Sequence, residues 1–131
     1  MLVEKEYEEV LVIYEILSEE NPKMYLPDMA AILNNLAHFY TQLYEYQKAI
    51  KKSEEALKIY RKLADENPKS YLLFVAKTLN NLSRIYLYKN SDRELSLKYA
   101  NEALEILGKC DNTPFVRNEL HNSEWNIKDW N

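Results

Sequence analysis

The sequence predicts an all-α fold, an antiparallel helix-pair solenoid of about six helices. Three observations predict it. The first is an internal repeat. Leu33-Asn34-Asn35-Leu36 returns as Leu79-Asn80-Asn81-Leu82, Asn21-Pro22 returns as Asn67-Pro68, and Glu9-Val10-Leu11-Val12-Ile13-Tyr14 returns as Glu55-Ala56-Leu57-Lys58-Ile59-Tyr60. Each pair is 46 positions apart (33 to 79, 21 to 67, 9 to 55), and a fixed period of this size marks a repeat architecture. The second is the scarcity of breakers: one glycine and four prolines in 131 residues favour long helices over a sheet. The third is apolar spacing at three and four residues, which puts a stripe on one face of a helix.

The elements follow in order. Val3, Tyr7, Val10, Tyr14 and Leu17 predict a helix over 2–20, stopped at Asn21-Pro22 because the residue before proline leaves the helical region. A second helix over 27–44 starts at Pro27 as a first-turn proline and buries Leu33, Leu36, Ala37 and Tyr40. A third, over 45–66, packs through Ala49, Ser53, Ala56 and Leu57, small residues that let two axes approach. The fourth, over 71–89, repeats the second through Leu79, Leu82, Ser83 and Tyr86. Ser91-Asp92-Arg93-Glu94 reads as a capping box that opens a fifth helix over 92–108, with Gly108 as its C-cap. Glu102-Ala103-Leu104 falls 47 positions after Glu55-Ala56-Leu57, so one extra residue belongs in the Lys89–Asp92 turn. Thr113-Pro114 starts a sixth helix over 114–122, with fraying expected beyond.

Leu33-x-x-Leu36-Ala37-x-x-Tyr40 followed by Ala49-x-x-x-Ser53-x-x-Ala56 resembles the tetratricopeptide repeat, as does Leu79-x-x-Leu82-Ser83-x-x-Tyr86 followed by Ser96-x-x-x-Ala100-x-x-Ala103. The family pattern is Trp-x-x-Leu-Gly-x-x-Tyr, then Ala-x-x-x-Phe-x-x-Ala. Leu stands for Trp and Ala or Ser for Gly. The period is 46 rather than about 34, similar to the elongated repeats of kinesin light chains, where an Asn-Asn-Leu run also occurs. The resemblance covers residues 9–107 and implies one domain over 1–131. Its parts are a half repeat (2–20), repeat one (27–66), repeat two (71–108), and a C-terminal capping or partial-repeat segment (114–131).

In tetratricopeptide-like arrays the first helix of each pair lines a concave groove that holds peptides. Opposite the packing stripe, the second helix presents Asn34, Asn35, His38 and Gln42, and the fourth presents Lys77, Asn80, Asn81, Arg84 and Tyr88. Asparagine both donates and accepts, so it can bond an extended peptide backbone whatever its side chains. Lys77, Arg84 and Lys89 bias the fourth helix positive, which favours an acidic peptide or a C-terminal carboxylate. The plainer alternative is a solvated polar face with three independent bases. The repeating Tyr14, Tyr60, Tyr40 and Tyr86 read as scaffold.

Other functions lack their residues. The chain carries net charge −4 without a basic stripe, which argues against nucleic acid. No 18-residue apolar run points to a membrane span. One glycine cannot form a phosphate-cradling loop, His38 and His121 stand alone, and Cys110 has no activating base beyond Lys109, so no cofactor, metal or catalysis is expected. A lone cysteine and an acidic N-terminus without a signal pattern fit a cytoplasmic setting. The expected function is a scaffold that binds a peptide segment of a protein partner. The alternative is an assembly module: the 2–20 helix has a second-helix pattern without its own first helix, and Pro114 opens a pair without its second. Such open ends predict either a segment of a longer repeat protein or a homo-oligomer through the end helices. Trp125 and Trp130 either cap that end or belong to an interface.

Overall fold

Among the described residues six helices succeed one another: α1 (Leu2–Glu20), α2 (Pro22–Gln42), α3 (Tyr46–Glu66), α4 (Pro68–Lys89), α5 (Arg93–Gly108) and α6 (Pro114–Asp129). They are seen in a computed structural model that describes residues 2–89 and 91–130, and no strand occurs among the described residues. Asn90, in the turn expected to hold the extra residue, lies outside them. The helices form two compact units, Met1–Tyr60 and Arg61–Asn131, each with its own interior.

Both Asn-Pro pairs act twice. Each asparagine ends one helix and caps the next. Asn21 Oδ1 accepts from the Met24 N–H at 3.4 Å, and Asn67 Oδ1 accepts from the Ser70 N–H at 3.4 Å. The proline after each cap occupies the first helical position, where its missing N–H removes nothing. α2 therefore begins at Pro22, not Pro27, and α4 at Pro68 rather than Tyr71. Pro27 is carried inside α2. α2 ends in a Schellman turn: the Glu45 N–H donates to Tyr40 O at 2.9 Å and the Tyr44 N–H to Thr41 O at 3.1 Å. Tyr44 holds the left-handed position at φ 61°, where glycine is the usual residue. The same bond recurs one repeat later, from the Ser91 N–H to Tyr86 O at 3.3 Å.

In the first unit α1 packs on α2. Among the described side chains of α1 Leu11 and Ser18 are buried, while Val3 and Val10 are exposed and Tyr7, Tyr14 and Leu17 half-buried. The packing face is thus rotated away from the expected stripe. Apolar residues cover more than half the circumference of α1, so spacing alone did not single out one side. Tyr40 links the elements: its hydroxyl donates to Glu4 Oε1 at 2.7 Å, and Lys48 sits over its ring at 5.4 Å. Lys48 and Lys52 of α3 reach Glu4 at 3.7 Å and Glu8 at 3.2 Å. The bond from Tyr40 holds the Glu4 carboxyl below its ordinary pKa, with Lys48 adding to the effect against some desolvation. Burial, then the same bond, pushes the Tyr40 phenol up.

In the second unit α4 packs on α5, and α6 packs on both. Small residues bring α4 and α5 together: the Ser96 hydroxyl donates to Ser83 O at 2.7 Å, and Ser83, Ser96, Ala100 and Ala103 are fully buried. Leu33, Leu36, Tyr40, Leu57, Leu79 and Leu82 lie in the core as expected, whereas Tyr86 and Leu104 are only half-buried. The N-cap of α5 is Asp92, whose Oδ1 accepts from the Leu95 N–H at 3.0 Å, not Ser91. Gly108 is the last helical residue rather than a left-handed cap. The chain leaves through a tightened turn, with the Lys109 N–H on Ile106 O and the Cys110 N–H on Leu107 O. α6 runs to Asp129, seven residues beyond the expected Asn122.

Candidate peptide-binding faces

Helical geometry sorts the neighbours in each Asn-Asn pair. A step of about 100° separates them, so one turns inward when the other faces out. On α2, Asp28, Ala31, Asn35, His38 and Gln42 are all exposed and share one face by their three- and four-residue spacing. The positions 46 later on α4 are Phe74, Lys77, Asn81, Arg84 and Tyr88, and all but the half-buried Arg84 are exposed. The same outward stripe is therefore presented by both repeats, each within its own unit.

Asn34 and Asn80 lie off this stripe. Asn34 is half-buried, and Asn80 is only 2% exposed. The Asn80 amide donates to Glu119 O at 2.9 Å and to Glu119 Oε1 at 3.1 Å. Its Oδ1 accepts from the Ser123 hydroxyl at 2.7 Å, and its backbone carbonyl accepts from Asn126 Nδ2 at 3.0 Å. The expectation that Asn80 meets a ligand is thereby corrected: its donors and acceptors already bind α6. Arg84 is drawn the same way, donating to Asn126 Oδ1 and Asn122 Oδ1 at 3.3 Å each, with its guanidinium over the Trp125 ring at 5.1 Å.

Sequence reasoning missed the α6 seam. Glu119, Ser123 and Asn126 are buried although polar, so no apolar stripe marked them. Their own spacing was the one available signal: residues 119, 123 and 126 step by four and three, the rhythm of a helix face. Trp130 completes the seam, its indole N–H donating to Ser96 Oγ at 2.7 Å.

The exposed part of the α4 stripe remains cationic and aromatic, with Lys77 and Tyr88; Lys69 and Lys89 also belong to α4 but stand about 80° and 120° around its axis from Lys77. Among the described residues, no group of three or more His, Cys, Asp or Glu could hold a metal ion. No helix among them is long and apolar enough to cross a membrane.

Residues 28–109 match the family model described as tetratricopeptide repeat. A search of curated proteins finds no match.

Proposed function

This chain belongs to the tetratricopeptide repeat family, whose members generally mediate protein–protein interactions, and on that premise we propose that it binds a peptide segment of a partner protein. The candidate contacts are Asn35, His38 and Gln42 on α2 of the first unit and, taken by themselves, Lys77, Asn81 and Tyr88 on α4 of the second. The observation that carries this reading is the exposed stripe repeated in register on the first helix of both repeats. Asn35 and Asn81 are exposed asparagines 46 residues apart, each able to donate to and accept from an extended backbone. Lys77, the base on the exposed part of the α4 stripe, favours an acidic peptide or a free C-terminal carboxylate. The reading assigns the chain no catalysis, in keeping with a family of typically non-enzymatic scaffolds, and places it in a reducing, cytoplasmic setting.

The test is a titration of matched acidic and basic peptides against wild type and an Asn35→Ala/Asn81→Ala variant. Tighter binding of the acidic peptide, weakened by salt and by the double variant, is expected. Equal affinity for both peptides would remove the charge preference. Equal affinity of both proteins for the acidic peptide would refute the assigned contacts.

A further inference from the structure

α1 carries a second apolar face. Leu11 and Ser18 point into the first unit, whereas Val12, Ile13 and Ile16 are 54%, 55% and 58% exposed. Ile16 lies about 140° around the helix axis from Leu11, so these residues are turned away from the interior rather than along its edge. Single exposed aliphatic side chains are ordinary, but three clustered on one helix face mark a contact surface. At its edge the surface opens onto a hollow of about 270 Å³ lined by Val3, Glu6, Tyr7, Val10 and Ile32, which offers a hole for a partner side chain.

The charge around this face is predominantly negative, although Lys5 shares it. Glu4 and Glu8 pair with lysines of α3. Glu6, Glu9, Glu15, Glu19 and Glu20 are exposed and form no ion pair among the described residues, and Lys5 is the single base of α1. We propose that the outward face of α1 docks a basic amphipathic helix of a partner protein. An apolar stripe on the partner covers Ile13 and Ile16, and lysines or arginines flanking that stripe meet the glutamates. A helix suits the surface because α1 is a 19-residue rod about 28 Å long, and helix-on-helix packing covers such a stripe along its length. A second copy meeting α1 to α1 about a twofold axis would set Glu9 and Glu20 against acidic residues of its own kind, a like-charge arrangement that opposes association. This face is separate from the stripe on α2 and α4, so the two proposals stand or fall independently.

The experiment uses the chain and two synthetic 18-residue amphipathic peptides with the same leucine stripe, one flanked by lysines and one by glutamates. Fluorescence anisotropy reads binding. The lysine-flanked peptide is expected to bind and the glutamate-flanked one at least tenfold more weakly. Ile13→Ser/Ile16→Ser, which leaves every charge in place and changes exposed residues, is expected to weaken the lysine-flanked peptide at least tenfold, with helicity retained by circular dichroism. Glu9→Gln/Glu20→Gln should weaken it severalfold and flatten its salt dependence, and Asn35→Ala/Asn81→Ala should leave it unchanged. Equal binding of both peptides, or an unaltered affinity in the isoleucine variant, overturns the proposal. So does a dimer by sedimentation that the isoleucine variant abolishes and the lysine-flanked peptide cannot displace, since a second copy would then be the occupant.

Discussion

Asn80→Ala separates the two roles assigned within one Asn-Asn pair. The substitution removes two bonds donated to Glu119 and one accepted from Ser123, all in a buried seam. A neutral hydrogen bond contributes about 1 kcal/mol net, and one to a carboxylate about 1.5–3 kcal/mol. Part of this is recovered. The Ser123 hydroxyl also lies 3.1 Å from Glu119 O, and Asn122 Nδ2 reaches Glu119 Oε1 at 3.4 Å, so neither partner is orphaned. The expected loss is therefore about 2–4 kcal/mol, or roughly 7–15 °C in Tm for a chain of this size. Asn81→Ala is the control: same residue type, next position, exposed, and expected within about 0.5 kcal/mol of wild type. Urea denaturation followed by circular dichroism measures both. Equal losses for the two variants, or an Asn80→Ala midpoint indistinguishable from wild type, would refute the division into an inward and an outward asparagine.

Leu82 is fully buried, so Leu82→Ala should cost about 2–5 kcal/mol by chemical denaturation. Tyr44→Gly should stabilise by about 0.5–1 kcal/mol, because glycine holds φ 61° without strain. The ring contact with Tyr46 at 6.2 Å is lost, and a destabilised variant would show that this contact outweighs the backbone term. The folded-state pKa of Glu4 lies below its ordinary 4.5, so its contribution is present above that value and fades as pH falls through the lower one. Glu4→Gln should accordingly be less stable than wild type at neutral pH, with the gap closing on acid titration, and a gap that persists at low pH would contradict the linkage. Arg84→Ala should loosen α6, seen as faster hydrogen exchange of the α6 amides while those of α5 hold.

Much of the fold was legible because it is written in spacing. The apolar stripes of α2 and α4 and the small residues of α3 and α5 follow from helical period and side-chain size, which are local quantities. The exposed stripe was legible for the same reason: Asn35, His38, Gln42, Lys77, Asn81 and Tyr88 lie opposite the packing face by arithmetic alone. The Asn-Pro pairs were read only as stops, because a proline limits the residue before it as clearly as it favours the start after it. Pro27 then looked like the better start for α2.

What the tertiary structure decided is where polarity goes inside. Glu119, Ser123 and Asn126 form no apolar stripe in sequence, and only the proximity of Asn80 and Arg84 converts them into a buried seam that carries α6 to Asp129. The same holds for α1, where apolar residues surround most of the axis and Leu11, rather than the Val3-to-Leu17 stripe, became the centre of packing. Apolar burial depends on one residue's own chemistry and can be read from its position. A buried hydrogen bond needs two partners in register, and for residues such as 80 and 119 that register exists only once the helices between them have packed.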